Sequence, residues 1–151
     1  MSFKPVIFRS NIILTMYIKC GRLLDAHQVF DKMSQRSTVS WTTIIVGYAH
    51  NGLAEEALRL FYQMHCEGVR INAFTFVNAV KAMVEVEALE FGRQTHGLII
   101  KSGCVQNLYL ESVLIDLYGK CGRIVDAFQV FDRMVERDVV SWTAMIAGCT
   151  K

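Results

Sequence analysis

The sequence predicts an all-α protein, a solenoid built from helix-turn-helix repeats. Segments recur in a fixed order along the chain, and each recurring segment holds two amphipathic helical patterns. Five of the ten glycines fall between these patterns, as expected for helices joined by tight turns. Helix pairs that stack on neighbouring pairs form an α-solenoid.

The clearest repetition has an offset of 101 residues. The stretch from Tyr17 to Arg36, YIKCGRLLDAHQVFDKMSQR, returns as YGKCGRIVDAFQVFDRMVER from Tyr118 to Arg137. The words that follow also match, since VSWT begins at Val39 and again at Val140. The repetition therefore continues across the boundaries between elements.

Shorter repeats emerge when the small residues Ala26, Ala57, Gly92 and Ala127 are aligned. Repeat 1 then spans residues 7–37, repeat 2 spans 38–72, repeat 3 spans 73–107, repeat 4 spans 108–138, and a partial repeat 5 spans 139–151. The four complete repeats contain 31, 35, 35 and 31 residues. We interpret the whole chain as a single solenoid.

Each repeat is expected to contain a first and a second helix. In repeat 2 the apolar positions are Val39, Trp41, Ile44, Ile45 and Tyr48 in the first helix, and Ala57, Leu58, Leu60, Phe61 and Met64 in the second. Breaks between the two helices are predicted at Cys20-Gly21, Asn51-Gly52 and Cys121-Gly122, and second helices are predicted to end before Gly68 and Gly103.

A common core position explains the aligned small residues, because a small side chain lets two helices approach closely. Two further series follow the small residues, a phenylalanine series and, one helical turn later, a methionine series. We assign both to the core: Phe30, Phe61 and Phe131, and Met33, Met64 and Met134.

Composition limits the classes of protein that fit. The chain is 52% hydrophobic and 20% charged, without the long apolar run of a membrane span. The net charge of +2 permits a nucleic-acid partner without arguing for one. Five cysteines without a C-x-x-C pair predict free thiols, neither a disulfide framework nor a zinc site. No targeting segment is visible at the N-terminus.

Four phrases follow one another along the chain: MYIKCGRLLDAHQVFDKMSQRS, VSWTTIIVGYAHNGLAEEALRLFYQM, FTFVNAVKAMVEVEALEFGRQTHGLIIKSG and LYGKCGRIVDAFQVFDRMVERDVVSW. Together they resemble the plant pentatricopeptide-repeat family, in the PLS subclass, which cycles standard, long and short motifs. The order here is short, standard, long, short and partial standard. The resemblance implies a right-handed α-α superhelix like that of tetratricopeptide arrays.

The resemblance also implies sequence-specific binding of single-stranded RNA, one base per repeat, as the recognition part of organellar RNA processing or C-to-U editing. It places such a protein in a mitochondrion or a chloroplast, with editing or processing factors supplied by other proteins. The zinc deaminase signature is H-x-E followed by P-C-x-x-C, and only His65-Cys66-Glu67 matches it. We therefore expect no deaminase centre and no cofactor in this chain.

Three positions of each repeat are the candidate RNA contacts. The resemblance selects the fifth and the last residue as base-reading pairs, namely Asn11 with Ser37, Thr42 with Asn72, Val77 with Asn107, Ser112 with Asp138, and Thr143 in the partial repeat. The second residue is apolar or aromatic throughout and shares a helical face with the fifth. We expect these second residues to wedge between bases: Phe8, Val39, Phe74, Tyr109 and Val140.

By analogy with the family, the pairs in repeats 1, 2 and 4 resemble a weak pyrimidine reader, an adenine reader and a guanine reader. Val77 can neither donate nor accept a hydrogen bond, so repeat 3 is expected to specify little. With the RNA 5′ end at the protein N-terminus, the hypothesised site is pyrimidine-A-any-G. Helix capping is the alternative role for such residues, although it does not explain why the fifth residue, inside the helix, stays polar.

Functions other than RNA reading fit the sequence less well. No nucleophile, base and orienting group can be assembled from the motifs, so we do not expect an enzyme, and the four scattered histidines are better explained as packing residues than as metal ligands. A tetratricopeptide-type protein scaffold and a truncated copy with little activity stay open. We also expect Trp142, Met145 and Ile146 to be exposed and to promote self-association.

Overall fold

The computed structural model describes residues 4–150, with side-chain surroundings from Val6 onward. Over that range the chain forms nine α-helices, one short 3-10 turn and no strand, which confirms the all-α prediction. The helices are α1 Lys4–Lys19, α2 Leu23–Lys32, α3 Thr38–His50, α4 Ala54–Cys66, α5 Ala73–Val86, α6 Leu89–Ser102, α7 Leu108–Lys120, α8 Ile124–Arg133 and α9 Val139–Cys149, and the 3-10 turn is Cys104–Gln106. Lys151, the last residue of partial repeat 5, lies outside the described residues, as do the first three residues of the chain.

The helices end where the glycine pattern predicts. Gly21 and Gly122, which follow α1 and α7, adopt φ angles of 74° and 75° that favour glycine. Just beyond them, the Arg22 amide donates to the Tyr17 carbonyl at 2.8 Å and the Arg123 amide to the Tyr118 carbonyl at 2.7 Å. These bonds close the last turn of each helix.

The first helices of repeats 2 to 5 begin at the first residue of each predicted frame, at Thr38, Ala73, Leu108 and Val139. In repeat 1 the helix begins earlier, because α1 starts at Lys4, three residues before the frame at Ile7.

Residues up to Thr75 form one compact unit. In this unit α1 packs against α2 and α3, and α3 packs against α4. Its buried core contains Leu14, Ala26, Phe30, Trp41, Ile44, Ile45, Ala57, Phe61 and Met64. The aligned alanines and aromatic residues of repeats 1 and 2 are thus core residues, as the sequence predicts.

Residues from Phe76 onward form a second compact unit. Here α7 packs against α6, α8 and α9, and α8 packs against α9. The core contains Gly92, Ile99, Leu110, Leu114, Ile115, Leu117, Ala127, Phe131 and Met134.

The second helix accounts for the difference between the 31-residue and 35-residue repeats. It has ten residues in α2 and α8, against 13 in α4 and 14 in α6. In each short repeat an arginine closes the shorter helix: Arg36 Nε donates to the Phe30 carbonyl at 3.0 Å, and Arg137 Nε donates to the Phe131 carbonyl at 3.2 Å. Each guanidinium also stacks on that phenylalanine ring, at 4.2 and 4.5 Å from the centroid.

One expectation for α9 is wrong. Trp142 and Ile146 are exposed as expected, but Met145 is almost fully buried. The reason is that α9 packs on both α7 and α8, so only one side of the helix faces solvent. The Met145 side chain lies on the side of α9 that packs against these helices.

Gly92 in α6 offers a test of the close helix contact in the second unit. A Cβ atom at this position would overlap Cδ2 of the buried Leu117 in α7. We expect Gly92→Ala to destabilise the protein by about 1–2 kcal/mol, because overpacking outweighs the better helix propensity of alanine. The measurement is urea unfolding followed by circular dichroism.

Gly97, in the same helix, is the matched control. A Cβ there meets no atom within 4 Å, so we expect Gly97→Ala to stabilise the protein by roughly 0.5–1 kcal/mol. Adding Leu117→Val to Gly92→Ala is expected to recover part of the loss. Equal effects of the two glycine substitutions would contradict the close contact.

Candidate nucleic-acid interface

The five residues predicted to wedge between bases are all exposed. Their side chains lie at the start of first helices and are 54–66% accessible to solvent, although large apolar side chains usually favour the interior. In the first unit they are Phe8, Val39 and Phe74, and in the second they are Tyr109 and Val140. The ammonium group of Lys81 lies beside Tyr109, with Nζ 5.0 Å from the ring centroid. Contact of these side chains with bases stays a prediction.

The last residue of every complete repeat caps the helix that follows. Oδ1 of Asn72 and Asn107 accepts the amide hydrogen of Thr75 at 2.9 Å and of Leu110 at 3.0 Å. Ser37 and Asp138 accept in the same way, within capping boxes at α3 and α9. The capping role is thus present at all four positions, but in the asparagines it occupies only Oδ1 and leaves Nδ2 out of the capping bond.

In repeat 2 the two members of the reading pair are joined through a third side chain. The hydroxyl of Thr75, the third residue of repeat 3, donates to Asn72 Oδ1 at 2.8 Å. The same oxygen lies 2.7 Å from Thr42 Oγ1. Since Thr75 has one hydroxyl hydrogen and gives it to Asn72, the hydroxyl of Thr42 must be the donor in the second bond. Thr75 is fully buried.

Repeat 1 shows the same arrangement. The hydroxyl of Ser40, the third residue of repeat 2, donates to Asn11 Oδ1 at 2.6 Å. Ser40 Oγ also lies 3.3 Å from Ser37 Oγ and accepts the Ser37 amide at 3.1 Å. A buried hydroxyl therefore links the fifth and last residues of both repeats in the first unit.

The second unit departs from this pattern. Val77 is buried, and the residue equivalent to Thr75 is Leu110, which has no hydroxyl. Ser112 donates to the Leu108 carbonyl of its own helix at 2.9 Å, and Thr143 donates to the Val139 carbonyl at 2.6 Å. Each of these hydroxyls thus has a hydrogen-bond partner within the protein, a backbone carbonyl or another side chain, and none of them serves as a helix cap.

A groove of about 460 Å³ in the first unit brings the predicted residues of repeat 2 together. Its lining includes both members of the reading pair, Thr42 and Asn72, and both neighbouring wedge residues, Val39 and Phe74. Thr15, Ile18, Lys19, Thr43, Val46, Gly47 and His50 complete the lining. Hydrogen-bonding groups and apolar side chains thus face one space that is open to solvent.

Lys19 and His50 in this groove were missed by the sequence reasoning. Each is the last residue of a first helix, the thirteenth of its repeat, and Lys120 occupies the same place in repeat 4. A cation there is favourable for the helix dipole, which is a sufficient structural reason for it. The recurring basic residue at one repeat position is the signal that could have identified them.

Two histidines of second helices, His27 and His96, serve packing, whereas His65 on α4 is exposed. His96 Nδ1 lies 2.8 Å from the hydroxyl of Tyr118, and His27 Nδ1 lies 2.8 Å from the hydroxyl of Tyr48. Burial, together with the positive charge of Arg133, lowers the pKa of His96, so this ring is neutral at pH 7. Within residues 4–150, no three His, Cys, Asp or Glu side chains converge as a metal site would require. The five cysteines are free thiols.

Glu111 is a buried carboxyl in the second unit. Its side chain lines a cavity of about 220 Å³ together with Leu114, Tyr118 and Arg133, and among the described residues it forms no ion pair or hydrogen bond. Burial raises the pKa of Glu111 above its ordinary value. A raised folded-state pKa means that ionising this carboxyl costs stability as pH rises through that pKa.

We therefore expect Glu111→Gln to raise the melting temperature at pH 7 and to change it little near pH 3, where the carboxyl is protonated in both the folded and the unfolded state. Melting curves at the two pH values, with Glu85→Gln at an exposed position away from this cavity as control, check this. A loss of stability at pH 7 would mean that the Glu111 carboxylate has a favourable partner.

None of the described helices is both long and apolar enough to cross a membrane.

Family models match much of the chain. The model described as the PPR repeat family matches residues 36–85, and the PPR repeat model matches residues 10–37 and 112–139. Together these matches cover more than half of the sequence.

Related proteins of Arabidopsis thaliana match over nearly the full chain. Pentatricopeptide repeat-containing protein At4g21065 is 40% identical over 146 residues, which are 97% of this chain and 24% of that protein. Pentatricopeptide repeat-containing protein At4g18520, chloroplastic, is 44% identical over 147 residues, again 97% of this chain and 24% of that protein. The chain thus spans about a quarter of the length of these relatives.

Solved structures show the same fold. The crystal structure of the pentatricopeptide repeat protein PPR10 from maize matches with a TM-score of 0.71 and 25% identity, over 91% of this chain and 21% of that one. PPR10 in complex with an 18-nt psaJ RNA element matches with a TM-score of 0.68 and 18% identity, over 97% of this chain and 22% of that one. By its repeats, its relatives and its fold, this chain belongs to the pentatricopeptide repeat family.

Proposed function

We propose that this chain binds single-stranded RNA and reads one base with each repeat, through the fifth and last residues of repeats 7–37, 38–72, 73–107 and 108–138. The observation that carries the proposal is the groove of repeat 2, where Thr42, Asn72, Val39 and Phe74 face one space. Readout of a single strand needs hydrogen-bonding groups opposite a base edge and apolar surface against the base faces. This groove supplies both.

The hydrogen bonds around Thr42 and Asn72 determine what the pair offers to a base. Thr42 is 8% exposed and lines the groove, and because it gives its hydroxyl hydrogen to Thr75, its oxygen can offer a base only an acceptor. Asn72 uses Oδ1 within the protein, so it offers the two hydrogens of Nδ2. In the orientation that we propose, Thr42 faces the exocyclic group of the base and Asn72 faces the ring nitrogen. An acceptor and a donor in these places complement the amino group and ring nitrogen of adenine or cytosine, and disfavour guanine and uracil. The family resemblance selects adenine from the two.

The pair in repeat 4 offers a different set of hydrogen-bonding groups to a base. Ser112 gives its hydrogen to the Leu108 carbonyl, and Asp138 carries a carboxylate, so both present only acceptors. Two acceptors complement the N–H and amino donors on the edge of guanine. In repeat 3, the buried valine at position 77 leaves Asn107 without a reading partner. These polarities support the predicted site pyrimidine-A-any-G.

The cellular role follows from the family and is part of the proposal. We infer that the chain is the recognition part of organellar RNA processing or C-to-U editing, and that editing or processing factors are supplied by other proteins. The relative whose name carries the word chloroplastic supports an organelle as the location.

The test is a competition between two flexible RNAs that differ only in the tetramer. One contains pyrimidine-A-any-G, and the other has the A and the G exchanged. We expect the first to bind more tightly, by roughly 10-fold or more, since two mismatched hydrogen-bonding edges are left unsatisfied in the exchanged RNA. Equal affinities would remove the base assignment, and retention of neither RNA at low salt would remove RNA binding itself.

We also propose that the chain self-associates weakly through α9. Val139, Val140, Trp142 and Ile146 are all more than half exposed. We expect sedimentation velocity to show a concentration-dependent increase in mass that Trp142→Ser reduces. A monomer at all concentrations would contradict this.

A further inference from the structure

We propose that the buried hydroxyl at the third residue of a repeat, Thr75 or Ser40, is a positioning residue that sets the base preference of the preceding reading pair. The inference rests on the proposed reading of RNA, but it assigns a role to residues that would not themselves touch a base. Thr75 and Ser40 are fully buried, so each can act only through the side chains that it bonds.

Two independent copies of the arrangement support it. Thr75 bonds Thr42 and Asn72 at 2.7 and 2.8 Å, and Ser40 bonds Asn11 and Ser37 at 2.6 and 3.3 Å. In both, the hydroxyl lies between the fifth residue of one repeat and the capping residue before the next. In repeat 4 the third residue is Leu110. The fifth residue of the preceding repeat is the buried Val77, which has no hydroxyl hydrogen to direct.

At Thr75, helix capping alone does not require this hydroxyl, whereas the Ser40 hydroxyl also completes the capping box of α3. The backbone amide of Thr75 already supplies the capping bond to Asn72 Oδ1, and Leu110, which has no hydroxyl, supplies the same bond to Asn107. What the hydroxyl adds is a fixed direction for the Thr42 hydrogen. Ser112 shows the alternative, in which the fifth residue donates to the carbonyl of its own helix; the buried hydroxyl of Ser141, the third residue of repeat 5, donates there to the Asp138 carbonyl and not to a side chain of the reading pair.

The consequence concerns selectivity more than affinity. Without the Thr75 hydroxyl, Thr42 can donate either to its own helix backbone or into the groove, so it no longer offers an acceptor alone. A chain without the Thr75 hydroxyl is therefore expected to discriminate less than the unaltered chain against a base whose keto oxygen faces Thr42. The apolar contacts of Val39 and Phe74 with the base faces remain as they were.

The experiment compares the full chain with Thr75→Val and Thr75→Ser, using RNAs with A or G at the second base of the tetramer. We expect Thr75→Val, which keeps the shape and the capping amide, to reduce the preference for A over G by roughly 2- to 10-fold. Thr75→Ser retains the hydroxyl and is expected to restore the preference. A merely structural role would lower both affinities together and leave their ratio unchanged.

A second measurement, made without RNA, tests the hydrogen bond itself. In a cycle of Thr42→Val, Thr75→Val and the double variant, we expect unfolding to show coupling between the two positions. An unchanged preference in Thr75→Val, or the absence of coupling, would overturn the positioning role. Intact RNA binding with an unchanged preference overturns this inference alone, whereas failure of the unaltered chain to bind RNA overturns both this inference and the proposed function.

Discussion

Trp41→Ala is expected to destabilise the protein by about 3–5 kcal/mol, the usual cost of removing a large aromatic side chain from a core. Trp41 is 1% exposed, and its ring meets Phe30 edge-on with centroids 4.8 Å apart. The guanidinium of Arg36 lies 5.5 Å from its centroid and covers both rings. Such a loss is a large part of the stability of a small domain, and urea unfolding measured by circular dichroism would report it.

Trp142 is the matched control, because it occupies the equivalent position 101 residues later. It meets Phe131 with the same 4.8 Å separation, yet it is 51% exposed. We expect Trp142→Ala to cost only about 0.5–1.5 kcal/mol, the contribution of the aromatic pair. Similar losses for the two variants would show that enclosure of the ring does not determine its contribution.

Phe74→Ala is expected to weaken RNA binding by roughly 5- to 150-fold, which corresponds to the loss of about one stacked base. The side chain is exposed and lies on the groove with Thr42 and Asn72, where an apolar ring can contact the face of a base. Its removal is expected to change the melting temperature little, since an exposed ring contributes little to the core. Fluorescence anisotropy with a labelled single-stranded RNA measures the change.

Phe128→Ala serves as the control for Phe74. Phe128 is also an exposed phenylalanine, but it lies on α8, a second helix, and outside the groove. We expect its removal to leave RNA affinity within about twofold of the unaltered chain, because a surface change away from the groove has little effect. Equal losses from the two variants would point to nonspecific stickiness of exposed aromatic residues and not to a reading face.

The helical pairs could be predicted from the sequence because their signals are local and repeated. Glycine after Cys20 and Cys121 marks a helix end, and the alanine and phenylalanine series marks the faces that pack. The offset of 101 residues also showed that two repeats share one geometry, which the paired contacts of Arg36 and Arg137 bear out. The exposed wedge positions follow from the same periodicity.

The links between side chains could not be predicted in this way. Thr75 joins Thr42 to Asn72 across 33 residues, and these side chains come together only in the folded first unit. The direction in which a hydroxyl donates is likewise set by its nearest acceptor, which is why Ser112 turns to a carbonyl. Burial of Met145 depends on the packing of α9 on two helices and not on the local pattern.

The most direct test of base reading is the affinity ratio for A against G at the second base, measured for the unaltered chain and for Asn72→Asp. Aspartate can replace asparagine here without loss of the cap, because Asp138 caps α9 with the same 2.9 Å bond that Asn72 makes at α5. The substitution changes only the group offered to the base, from a donor to an acceptor. We expect the unaltered chain to prefer A and Asn72→Asp to prefer G. An identical ratio in the two proteins would contradict the reading of a base by this pair.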